Sequence, residues 1–298
     1  MTVPTAASLI PADVRARLKS LQLVARRAAG ARGFGLHRSA SRGAGLEFAQ
    51  YRSYEPGDAL RQVDWKLYAR SDRFFVREAE RDSPLDLWLL VDASASMAQG
   101  DAARPGWSRL DAARGIAACA IELALRQGDR FGVLAVGGAG VHAVPLGAGP
   151  RHRDRCLLSL AALSPQGAWP GDDVLRRAWH HVGAQSLLLC LSDAFDDALP
   201  PLLEGLAAAR REVLSVQLLT AEERDFPFAG SHRFRDPETG AELLGDGAGV
   251  RGDFLARFAA AQAVLAARLA AAGIAHVVHA LDAPLDAPLR ALFPAMRA

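Results

Sequence analysis

The stretch LWLLVDASASM, residues 87–97, decides the fold. Its first five residues, Leu87 to Val91, are continuously apolar and stop at Asp92. Asp92, Ser94 and Ser96 then alternate with alanines. A short uninterrupted apolar run is the pattern of a strand covered on both faces, as in a parallel sheet. A second run, SLLLCLS at 186–192, has the same character and is followed at once by Asp193. Working outward, strand patterns at 130–136, 141–146, 212–220 and 274–281 alternate with Ala/Leu/Arg-rich helical patterns. Ser108, with Asp111 three residues on, forms a capping-box pattern that starts a helix running to Gln127, and Gly128 ends it. Further helices are expected at 154–163, 173–182, 200–211 and 254–273, with a small hairpin, HRFRD and AELL, around PETG.

Such alternation predicts an α/β fold: a doubly wound, mostly parallel sheet with helices on both faces. An N-terminal helix from Asp13 to Ala29 and a β-rich extension precede it, so the division expected is residues 1–83 and 84–298. Within the extension, 46–54 and 73–79 have strand character and EPGD is a turn signal. Sites in parallel sheets form at the carboxyl ends of the strands, which puts Asp92 and Asp193 on one edge.

A hard cation such as Mg²⁺ takes six oxygen ligands and keeps some as water. A loop leaving a strand with Asp, Ser and Ser two apart aims three oxygen donors one way, and Asp193 approaches from a neighbouring strand. Hydroxyl donors are uncharged and leave the ion able to attract a partner's carboxylate. The competing reading is a helix cap, with Asp92 accepting backbone N–H groups.

The Asp92-Ala-Ser94-Ala-Ser96-Met segment resembles the metal-ion-dependent adhesion motif of von Willebrand factor A-like domains. The segment before it reads Gly43-x-Gly45-x-Glu47-Phe48, Arg52-x-Tyr54-x-x-Gly57-Asp58, Arg61-x-x-Asp64-Trp65, Ala69-Arg70 and Val76-Arg77-Glu78. That pattern resembles the bacterial domain-of-unknown-function family fifty-eight, densely over residues 43–97 and more weakly to the C-terminus. The resemblance implies an A-type α/β domain, a divalent cation (Mg²⁺, with Mn²⁺ or Ca²⁺ as alternatives) and a protein partner, a MoxR-type AAA+ ATPase or its client. It also calls for a Thr in a Gly-Thr-x-Leu context as a further ligand. Here Gly171-Asp172-Asp173-Val174-Leu175 puts Asp172 at that place, with Ser164 as another candidate. A third carboxylate would strengthen cation binding and weaken the ion's attraction for a partner's acid.

The extension has its own chemistry. Arg52, Arg61 and Arg70 with Glu47, Asp58 and Asp64 can form bidentate pairs that fix an irregular loop, and Trp65 can anchor it beside the Tyr54–Gly57 turn. These residues either hold the extension in place or present a partner surface.

Net charge over the 298 residues is +2, but it is uneven: the first 81 residues hold 15 Lys+Arg against 8 Asp+Glu. Acids interleave with those bases, so a nucleic-acid role is not expected. Three separated cysteines, Cys119, Cys156 and Cys190, read as small buried hydrophobes in a reducing compartment. No signal peptide and no unbroken apolar run of ~18–20 residues is visible. A cytoplasmic chain without membrane insertion is therefore expected. The glycine-rich GGAGVHAVPLGAG (137–149) lacks the Gly-Lys-Ser/Thr of a P-loop. The role expected is a non-enzymatic, metal-dependent adaptor. The alternative is a metal-dependent phosphoesterase on the same acidic edge.

Overall fold

Strand β3 (Asp86–Asp92) sends Leu87, Leu89 and Val91 to one side and Trp88 and Leu90 to the other. Each set enters a separate apolar core, as the period-2 geometry of a strand requires. The computed structural model describes residues 9–25, 48–54, 63–79, 84–138, 140–235 and 240–293. They fall into two compact units, Met1–Gly35 with Leu85–Ala298, and Leu36–Pro84.

The larger unit is built on a six-stranded sheet. Beside β3 it uses β6 (Arg130–Gly137), β7 (Gly140–Gly147), β8 (Leu187–Ser192), β9 (Glu212–Leu219) and β12 (Ala275–Ala280), in the order β12-β9-β8-β3-β6-β7. Every pairing is parallel except β6 with β7, an antiparallel edge. The expected doubly wound, mostly parallel sheet is thus the observed one. Helix α3 (Arg109–Gln127), with its Ser108–Asp111 capping box and left-handed Gly128, buries most of its circumference under one face. Leu175, Leu202 and Leu206, from the helices Asp172–Trp179 and Leu199–Ala208, cover the other face. The three cysteines are free and buried, and desolvation raises their thiol pKa values.

Helix α1 (Ala12–Leu18) is shorter than the sequence pattern suggested. The sequence division grouped it with the extension, but Val14 and Leu18 join the core of the larger unit. The Arg17 guanidinium grips the fully buried Asp286 carboxylate through two nitrogens, at 2.8–3.0 Å.

The smaller unit pairs β1 (Phe48–Ser53) with β2 (Phe75–Ala79) antiparallel. Between them lies helix α2 (Trp65–Ser71), which periodicity did not reveal. Asp64 is its N-cap, accepting the Lys66 and Leu67 N–H groups. Tyr68 stacks on Phe74 with ring centroids 4.4 Å apart, and Trp65 and Tyr54 also lie against Phe74.

One expectation is overturned. Helix α8 (Gly247–Ala271) has 25 residues, a mean hydropathy of 1.4 over 18 of them, and only 6% of that window buried. It is long and apolar enough to cross a bilayer. The sequence shows no unbroken apolar run there because Arg257 and Arg268 interrupt it. Leu269 near its C-terminal end packs into the second core.

Candidate functional site

Parallel register carries the ends of β3, β8 and β9 to one edge. Val91 pairs with Leu191, and Ser192 pairs with Gln217. Asp92, Ser94, Ser96 and Asp193 meet there, all buried. One Asp92 oxygen accepts the Ser94 N–H at 2.8 Å and the other accepts the Ser192 hydroxyl at 2.6 Å. The Ser94 and Ser96 hydroxyls lie 3.0 Å apart. Ser94 stands at the start of a 3₁₀ turn, Ala95–Ala98, yet its side chain caps nothing. Capping therefore accounts for one Asp92 bond and leaves both hydroxyls unexplained.

The loop is held from behind by backbone. Ala93 N–H donates to Val136 O at 2.7 Å, Gln166 N–H to Ala93 O at 3.0 Å, and Ala95 N–H to Gly167 O at 2.7 Å. Gly137, Gly138 and Gly167 make this approach possible. A Cβ on Gly138 would lie 2.6 Å from the Gly167 Cα.

Burial pushes the Asp92 carboxyl up to about 6, and the neighbouring Asp193 charge adds to the rise. Hydrogen bonds from Ser192 and Ser94 oppose it. From β9, Gln217 Nε2 donates to the Asp193 carbonyl at 2.9 Å. Ala194 is held at φ 56°, a left-handed conformation unusual for a residue with a Cβ, while its N–H donates to Ser192 Oγ.

The sequence reading missed the cation of this edge. Arg109, the first residue of α3, is 2% exposed. One terminal nitrogen donates to Asp193 Oδ2 and to the Ser96 carbonyl, both at 3.0 Å. The other donates to Glu223. Glu223 belongs to a second capping box, with Thr220, that starts the short helix Ala221–Asp225 after β9. One signal was available: a cation in the first turn of a helix opposes the macrodipole and calls for an anionic partner.

Asp172 is the first residue of its helix, and its side chain lies outside the described set. Glu47, Gly57, Asp58 and Arg61 lie outside the described residues. Arg52 is on β1, while Tyr54, Asp64, Trp65 and Arg70 belong to the smaller unit described above.

Beside Ser96 and Arg109 opens a groove of about 940 Å³. Phe195, Phe226, Phe228, Phe234 and Phe254 form its apolar wall. Asp196, Asp197 and Glu222 line it, as do Arg233 and Arg235 of the hairpin β10 (Ser231–Arg235) and β11 (Glu242–Asp246). Among the described residues, no three His, Cys, Asp or Glu side chains gather as a metal site. The donors at the edge are two carboxylates and two hydroxyls. That all-oxygen set fits a hard divalent cation and not a soft one.

The sheet order, with an Asp-x-Ser-x-Ser loop at its carboxyl edge, defines the class: a doubly wound, mostly parallel α/β domain with an oxygen-rich strand edge. A family model described as "Protein of unknown function DUF58" matches residues 50–264, and the chain belongs to that family. Uncharacterized proteins of Mycobacterium tuberculosis (Rv1480) and Mycobacterium bovis (Mb1516) are each 32% identical over 284 residues, 91% of this chain and 83% of the relative. Similar solved structures include the conserved hypothetical protein BatB of Bacteroides thetaiotaomicron. Its TM-score is 0.44 and its identity 12%, over 70% of this chain and 95% of that one. An aerotolerance-related membrane protein of Bacteroides fragilis gives 0.43 and 14%, over 69% and 97%. The VWA domain of SpRpn10 gives 0.41 and 13%, over 70% and 95%. The expectation of a cytoplasmic chain without membrane insertion is corrected: α8 overturns it, having the length and hydropathy of a membrane span.

Proposed function

We propose that this chain is a non-enzymatic adaptor that binds a protein at the carboxyl edge of its sheet, with a divalent cation, Mg²⁺ before Mn²⁺ or Ca²⁺, as part of the contact. Asp92, Ser94 and Ser96 would hold the ion, with Asp193 beside them and Asp172 as a further carboxylate. The observation that carries the reading is the meeting of a buried Asp-Ser-Ser oxygen set with the groove, since Ser96 belongs to both. An ion there, held partly by neutral hydroxyls, retains attraction for a carboxylate from outside. The aromatic wall supplies apolar area for the rest of a contact.

The partner proposed is a MoxR-type AAA+ ATPase or its client, which rests on the family resemblance. The test is interferometry with a purified MoxR-type ATPase, in Mg²⁺ and in EDTA, with wild type and Asp92→Ala. Chelation and the substitution should each weaken binding by about tenfold or more, since about 1.4 kcal/mol suffices for that factor. Equal affinity in all arms rules the metal-dependent contact out.

A further inference from the structure

We propose that Arg109 is an internal counter-cation that shares Asp193 with the divalent ion and sets how readily the edge loads. This rests on the cation reading above and goes beyond it by assigning a residue that opposes loading.

Three observations carry it. The guanidinium is as buried as its partner Asp193, the two side chains being 2% and 3% exposed. Its backbone is held at the start of the helix, inside the Ser108–Asp111 capping box. Its acceptors come from three loops: Ser96 after β3, Asp193 after β8 and Glu223 after β9. The guanidinium thus bridges the oxygen set to a residue of the groove wall. It also packs over Phe195, 5.2 Å from the ring centre.

Charge gives the consequence. Asp92, Asp193 and Glu223 carry three formal negative charges and Arg109 returns one. A divalent ion brings this group to neutrality, but approaches a buried positive charge to do so. In a weakly screened site that repulsion is large. Asp193 Oδ2 is already committed to the guanidinium, so loading the ion and holding Arg109 draw on the same oxygen.

The test is Mn²⁺ titration of the chelator-stripped full chain, read by the paramagnetic signal of free Mn²⁺, on wild type, Arg109→Met and Arg109→Lys. The Met side chain keeps an unbranched stem and removes the charge; Lys keeps the charge. Arg109→Met should bind Mn²⁺ about tenfold more tightly or better, and Arg109→Lys should stay within about threefold of wild type. Equal or weaker binding by a folded Arg109→Met overturns the proposal, as does an equal gain in both variants.

If Arg109→Met melts below the assay temperature, Glu223→Gln decides. It leaves the guanidinium less compensated and should weaken Mn²⁺ binding, and unchanged affinity overturns the proposal. The outcomes separate this inference from the reading beneath it. Binding by wild type with no gain in Arg109→Met sinks only the inference. Binding by Arg109→Met alone supports the inference and removes the native metal contact. No binding by any chain removes both.

Discussion

Asp92→Asn is expected to raise the thermal midpoint of the metal-free chain at pH 7.5 while abolishing its response to divalent cations. Burial and the Asp193 charge lift the Asp92 carboxyl from 3.8 to about 6. The folded state therefore holds the proton more tightly than the unfolded chain does. Stability from this group is fully present below about pH 4, where Asp92 is neutral in both states, and is lost as pH rises through 6. Above that the ionised carboxylate costs about 3 kcal/mol, from the rise of roughly two pH units at 1.36 kcal/mol each. Asn removes the cost. Its carbonyl oxygen still accepts the Ser94 N–H, and its amide faces the Ser192 hydroxyl, which can turn to accept. Melting curves with EDTA should show the variant above wild type at pH 7.5 and level with it near pH 4. With Mg²⁺ only wild type should rise. A variant less stable than wild type at pH 7.5 contradicts this account of the edge. Asp129, also raised to about 6 by burial, gives both chains the same background trend.

Gly137→Ala should damage the same edge from behind. A Cβ at Gly137 would lie 2.5 Å from the Ala93 carbonyl oxygen, 2.7 Å from its carbon and 3.2 Å from the Ser94 nitrogen. These are backbone atoms and cannot rotate aside, so the loop that carries Ser94 must move. Overpacking of this kind costs about 1–3 kcal/mol. The displaced hydroxyls should weaken cation binding by about tenfold, as a shift near 1 Å does in a preorganised site. Gly171→Ala is the control, since nothing lies within 4 Å of its Cβ position. Denaturation midpoints and Mg²⁺ affinities of both variants check this. Wild-type values for Gly137→Ala would show that the backbone clamp does not position the site.

What the sequence shows and hides follows from range. The runs before Asp92 and Asp193 announce buried parallel strands, and parallel register alone brings their ends together. The Ser108–Asp111 box is local and appears where its pattern stands. Arg109 is different. Its acceptors lie 13, 84 and 114 residues away, so no spacing in the chain points to them. Helix α2 is hidden for another reason. Its seven residues are too few to show a period, and only the structure shows Asp64 as its N-cap. Helix α8 was legible as a helix, but its two arginines, Arg257 and Arg268, broke the apolar run that would have marked it as long and apolar enough to span a bilayer.

The most direct measurement is a calorimetric titration of chelator-stripped full chain with Mg²⁺, Mn²⁺ and Ca²⁺, beside Asp92→Ala. The account predicts saturable binding to one site in wild type and none in Asp92→Ala. Binding that survives Asp92→Ala, or wild type that takes up none of the three ions, contradicts it.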